Sequence, residues 1–221
     1  MSFRAIVIGG TGQVGGALIR ALVAEPTCVE VVMVNRKAMK QSVDAKVRQV
    51  VMDTSADDFQ SSVTTLAKSL EGRVVAASCV GVGAGSNKCT EEELKALEVG
   101  VVGAFARGVH AAGVEHFGLL TAVGSTSKSR FKYIRVMGLK EETVEAIGFK
   151  RLAIFQPGII GGNEHTPKIV DWLGKLIPGR FGTVHQDDIG RAFVAEFRDS
   201  ADASGVVGFE NSAMKQRSRS L

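Results

Sequence analysis

Tyrosine and tryptophan occur once each in this chain of 221 residues, cysteine three times, and proline and histidine four times each. Cys28, Cys79 and Cys89 are odd in number, widely spaced and without a CxxC pair, a pattern that argues against a disulfide framework and against a cysteine zinc site. His110, His116, His165 and His185 show no HExxH-like spacing, so no metal site is expected. No apolar run approaches the roughly 18–20 residues of a membrane span. The opening stretch MSFRAIVIGG enters strand-like sequence without separable charged, apolar and cleavage regions, so no signal peptide is expected. With reduced thiols, these absences point to a cytoplasmic location.

An excess of charge of one sign is also nearly missing. The formal net charge is +4, and Lys215, Arg217 and Arg219 near the C-terminus supply three of those charges. A nucleic-acid surface needs a basic stripe on the folded body, so no nucleic-acid partner is expected. Residues 211–221 read as a Ser-rich basic tail, expected to be disordered. A protein partner and an oligomer stay open.

What is present suits one domain over residues 1–210, with 45% apolar and 23% charged residues. Short β-branched runs alternate with helical patterns. Strands are expected at 5–9, 29–35, 46–53, 73–81, 116–122 and 150–158. Helices are expected at 12–25, 57–70, 90–113 and 133–147. Thr90 and Glu93 form a capping box ahead of the third helix, and Gly113 suits its end. Near-continuous apolar strands alternating with helices imply α/β architecture: a doubly wound parallel sheet covered on both faces. After Pro157 the rhythm loosens. Residues near 159–185, with a short helix around Lys168–Leu176, are expected to form an irregular segment over the sheet's carboxyl edge, where ligands of such sheets bind.

VIGGTGQVGGALI places Gly9, Gly12 and Gly15 in GxxGxxG spacing between the first strand and the first helix. The first glycine permits a tight turn, the second a close approach to a pyrophosphate, and the third close helix–strand packing. Free N–H groups of the helix start, around Thr11, Gln13 and Val14, would face the phosphates. The second strand ends in VVMVNRKAMK, with no carboxylate for a ribose 2′-hydroxyl. Arg36 and Lys37 suit a 2′-phosphate, so the expected cofactor is NADP(H), with solvated surface cations as the alternative. Asp53 ends the third strand and suits either adenine binding or helix capping. Cys79, Val80 and Gly81 end the fourth strand, and Pro157 and Gly158 end the sixth. Both sets bring backbone to where such a cofactor would lie.

These motifs resemble the short-chain dehydrogenase/reductase superfamily. "SCVGVGAGS", "EHFGLLTAVGSTSKSRFKYIRVMGLKEETVEAI" and "RLAIFQPGIIGGN" are similar to its atypical, TIP30-like branch. The resemblance covers roughly residues 4–163 and implies a Rossmann-like NAD(P)-binding fold. It implies that Tyr133 exchanges a proton with the oxygen of an unknown small substrate, with Thr121 orienting that substrate and Ser125 nearby. A lysine four residues after the tyrosine would hold the nicotinamide ribose and lower the phenol's pKa. Here that position is Met137, and Gln156 stands where relatives often carry arginine. Lys140 lies on the same helix face but, by helical rise, about 10 Å farther along, a distance that argues against its replacing the lysine. Two functions follow. One is a reductase of a small carbonyl compound with Tyr133 as proton donor. The other is an NADP(H)-sensing regulatory protein without efficient turnover.

Overall fold

The computed structural model describes residues 1–39, 44–162 and 179–221. Its centre is a sheet of seven parallel strands. They are β1 (Phe3–Ile8), β2 (Cys28–Asn35), β3 (Val47–Val51), β4 (Val74–Ser78), β5 (His116–Leu120), β6 (Arg151–Phe155) and β9 (Gly205–Phe209). Their spatial order is β3-β2-β1-β4-β5-β6-β9. The chain moves outward from β1 to β3, returns to β4, and moves outward the other way. The crevice between the diverging crossovers therefore opens at the carboxyl ends of β1 and β4. The doubly wound α/β sheet expected from the strand–helix rhythm is thus present.

Alternation along β1 explains why both faces are covered. Phe3, Ala5 and Val7 enter one apolar layer with Leu18 and Leu22 of α1 (Gln13–Ala24) and Phe193 and Phe197 of α6 (Gln186–Asp199). Ile6 and Ile8 enter the other. There they meet Val63 of α2 (Phe59–Lys68), Phe105 of α4 (Val102–Ala111) and Val144 of α5 (Lys132–Glu145). The long third helix is one rod in three parts: α3 (Glu91–Lys95), a π-helical turn (Ala96–Val101) and α4. Thr90 and Glu93 close the expected capping box.

The C-terminal part differs from the sequence reading in three respects. A seventh strand, β9, extends the sheet beside β6. Ile159–Gly161 (β7) and Thr183–His185 (β8) form a separate two-stranded parallel ribbon, while most of the expected covering segment, including Lys168–Leu176, lies outside the described residues. Finally, Asn211–Ser218 forms a helix, α7, where a disordered tail was expected. Its anchors are few but strong. Met214 is fully buried in the first apolar layer, and Arg217 Nη2 reaches Glu196 Oε2 at 2.9 Å.

Candidate functional site

The turn after β1 is built by backbone contact. Gly9 has φ +81°, a left-handed conformation that favours glycine. A Cβ on Gly9 would stand 2.5 Å from the Cys79 carbonyl carbon and the Val80 nitrogen, so this turn touches the chain leaving β4. A Cβ on Gly15 would lie 2.0 Å from the Gly9 oxygen. Gly15 thus lets the turn close onto α1, and it lines no cavity itself. The Gly12 N–H donates to Gly9 O at 3.1 Å, and Gly12 caps α1, whose first turn holds no acidic residue. The unpaired N–H groups and positive end of α1 therefore face open space, with no acidic side chain in the helix's own first turn.

That space is a cleft of about 990 Å³ at the carboxyl edge of the sheet. Thr11, Gly12, Gln13 and Val14 line it from the turn, and Cys79, Val80 and Gly81 from the end of β4. Thr121, Tyr133, Met137, Lys140 and Gly158 line its far side. A smaller cavity of about 170 Å³ adjoins it and shares Thr11, Gly12, Cys79, Val80 and Gly81. Gly9, Asn35, Arg36 and Thr54 also line this second space. Together the two cavities run from Arg36, past the glycine turn, to Tyr133.

Lys37, Asp53 and Pro157 line neither cavity. Asp53 Oδ1 accepts from the Ser55 backbone N–H at 2.9 Å and from Ser55 Oγ at 2.6 Å, bonds that hold its carboxyl below the usual range. It braces the turn before α2, whose N-cap is Asp58, so Asp53 does not cap that helix. The Asn35 side chain is also committed, its amide donating to Gln49 Oε1 at 3.2 Å.

Tyr133 packs with Leu94, Val136 and Met137 in a small apolar cluster. Burial, reinforced by the nearby Glu98 carboxylate, pushes its phenol up to about 12. Met137 is 1% exposed and brings no charge to it. The phenol is accordingly a stable donor at neutral pH and a poor base.

Lys140 is closer to the site than helical rise alone suggests. Its Nζ lies on the cleft wall, donating to Val80 O at 2.9 Å and to Glu98 Oε2 at 2.9 Å. Glu98, on the π-helical turn, accepts from the Val82 N–H through Oε1 at 3.0 Å. Both side chains are essentially inaccessible. The pair clamps backbone on both sides of Gly81, and the Lys140 ammonium is spent on Glu98 and Val80 O. Glu98 was missed in the sequence; the available signal was a lone acid within an apolar helical run, LEVGVV.

A second polar group stands behind the cleft. The chain after β5 lies tightly on α5, because Gly138 has no Cβ to strike the Thr126 carbonyl carbon, 2.1 Å from where that Cβ would be. This closeness brings Thr121 Oγ1 to 2.5 Å from Glu141 Oε1, which also accepts from Gln156 Nε2 at 2.9 Å. Burial pushes the Glu141 carboxyl up, against the lowering effect of these donors. Among the described residues no cluster of three metal-ligating side chains occurs, and no helix is long and apolar enough to cross a membrane.

No protein-family model matches the chain. Among curated proteins it is 28% identical over 183 residues to the mitochondrial protein fmp52 of Emericella nidulans, covering 81% of this chain and 76% of that one. It is 29% identical over 164 residues to mitochondrial FMP52-1 of Scheffersomyces stipitis, covering 74% and 70%. Among solved structures, the oxidoreductase ylbE from Lactococcus lactis superposes with a TM-score of 0.69 at 17% identity, covering 99% of this chain and 96% of that one. The Bordetella bronchiseptica enzyme WbmH, solved in complex with NAD+, gives 0.71 at 13% identity over 95% and 76%. These likenesses place the fold among Rossmann-like structures. The names of the curated relatives overturn the expected cytoplasmic location. Three widely spaced thiols argue against a disulfide framework but do not choose a compartment.

Proposed function

We propose that this protein is an NADP(H)-binding oxidoreductase that reduces a small carbonyl compound, with Tyr133 as the proton donor. The observation that carries this reading is the placement of a half-buried, neutral phenol in the same cleft as a glycine turn at a helix N-terminus. The residues present fit a dinucleotide. The Gly9–Gly15 contact leaves no room for side chains and exposes backbone N–H groups to a pyrophosphate. Val80, Gly81 and Gly158 offer backbone farther along the cleft. Arg36 lines the adjoining cavity with no acid at the end of β2, which favours a 2′-phosphate over a free ribose hydroxyl.

A nicotinamide in this cleft supplies hydride to a carbonyl carbon. Tyr133 Oη gives its proton to the carbonyl oxygen, and the resulting phenolate recovers a proton from solvent, driven by its raised pKa. Thr121 positions the substrate oxygen. The apolar packing of Tyr133 with Met137 and Leu94 holds the ring in place on the cleft wall.

The test is NADPH oxidation with a panel of aldehydes and quinones, in the wild type and in Tyr133→Phe. Turnover lost in the variant, with NADPH affinity retained, supports the reading; equal turnover in both removes Tyr133 from the chemistry. Met137 favours a second reading, a nucleotide sensor without turnover, because it fills the position of the expected lysine with apolar core. NADPH binding with no turnover on any carbonyl selects that reading.

A further inference from the structure

Glu141 is the titratable group at the cleft that the reduction just described leaves unused. It lies behind the cavity wall rather than on it, and Thr121 stands between Glu141 and the cavity. A threonine hydroxyl has one hydrogen and two lone pairs. While Glu141 is ionised its oxygens only accept, so the Thr121 hydrogen is committed inward across the 2.5 Å contact and lone pairs remain for the cleft. When Glu141 is protonated, its own hydrogen can fill that contact and the Thr121 hydrogen is free to turn toward the cleft. Gln156 Nε2 donates to the same oxygen at 2.9 Å, which fixes the carboxyl in place.

We propose that Glu141 is a positioning residue that sets the hydrogen-bond polarity of Thr121, so that the cleft favours a ligand alcohol when Glu141 is ionised and a ligand carbonyl when it is neutral. This rests on the reading of the cleft as a carbonyl/alcohol site. The groups facing Glu141 from other elements are uncharged: Thr121 and Ser125 after β5, and Gln156 after β6. The charge acting on it is that of Lys140 on its own helix, already held by Glu98. Burial raises the carboxyl above its ordinary value and so moves the switch toward neutral pH.

Two measurements test this. The first is infrared titration. A protonated-carboxyl band should persist above the usual carboxylate range, disappear in Glu141→Gln, and remain in Glu142→Gln, a change at the exposed neighbour. The second is ligand-detected NMR with cyclohexanol and cyclohexanone, neither of which titrates between about pH 5 and pH 9. The alcohol-to-ketone affinity ratio should rise roughly five- to tenfold with pH in the wild type and stay flat in Glu141→Gln. A flat ratio in the wild type, a pH-dependent ratio in Glu141→Gln, or no band that depends on Glu141 overturns the proposal. Missing NADPH affinity sinks the oxidoreductase reading instead, and the infrared band distinguishes the two failures.

Discussion

Tyr133 is the one tyrosine in the chain, so tyrosinate absorbance reports its ionisation without interference. The wild-type phenol should titrate near 12, because burial and the Glu98 carboxylate both disfavour the phenolate. Met137→Lys places a cation one helical turn away. A unit charge about 4 Å from the phenolate contributes about 4 kcal/mol at an effective dielectric near 20. At about 1.4 kcal/mol per pH unit, this lowers the midpoint by about three units, to near 9. Alkaline unfolding would release an ordinary tyrosine titrating near 10, so the assay is a stopped-flow pH jump read before unfolding begins. Glu98→Gln provides the complementary control and should lower the midpoint by a smaller amount. A wild-type midpoint below about 10 would refute the account of the phenol as a buried, unassisted donor. An unchanged midpoint in Met137→Lys would refute the claim that position 137 governs its charge.

Three further outcomes are expected. Lys140→Met strands the Glu98 carboxylate in a site that excludes water, which should cost about 3–5 kcal/mol and lower the Tm by about 10 °C, with Lys140→Met/Glu98→Leu restoring most of the loss; equal losses in the single and double variants, measured by calorimetry, mean the pair is not coupled. Arg36→Ala should weaken NADPH about 10- to 100-fold in titration calorimetry while changing NADH by less than about twofold, and equal effects rule out a 2′-phosphate contact. Arg151, Arg217 and His116 hold the Glu196 carboxyl, against burial, at about 2, below its ordinary 4.5. The lowered folded value means that stability present above pH 4.5 is lost as pH falls toward 2, roughly 3 kcal/mol in all, and Glu196→Gln should flatten that acid limb in denaturant titrations.

The parts of this molecule that were legible in the sequence are those in which local spacing dictates backbone geometry. GxxGxxG reads directly as Gly9 in a left-handed turn with Gly15 pressed against it, because no other residue fits either place. The apolar runs of β1 and β4 read as buried parallel strands for the same reason. The features that escaped depend on long side chains or on a few anchors. Residues 211–221 look disordered by composition, yet Asn211, Met214, Arg217 and Ser218 dock α7 through partners distant in sequence. Lys140 was read only for its distance from Tyr133, and its bonds to Val80 O and Glu98 come from elements far apart in sequence. Glu141 lies eight residues after Tyr133 on the same helix, and its partners Thr121 and Gln156 come from two different strand ends, which no local spacing reveals.

On the proposed reading, the direction of chemistry would follow from how these charges are distributed. Oxidising an alcohol requires a base, and a phenol titrating near 12 is ionised in only about one molecule in 10⁵ at pH 7. Reducing a carbonyl requires an acid, and the same phenol is fully protonated across the physiological range. A lysine at position 137 would narrow this difference by stabilising the phenolate; Met137 leaves it intact, and Glu98 enlarges it. The cation nearest in sequence on that helix face, Lys140, has its charge balanced by Glu98 and two of its three hydrogens committed to Glu98 and Val80 O. The cleft therefore combines an anion-seeking end at α1 with an uncharged proton donor at α5. On the proposed reading, the absence of a cation beside that donor would limit oxidation far more than reduction.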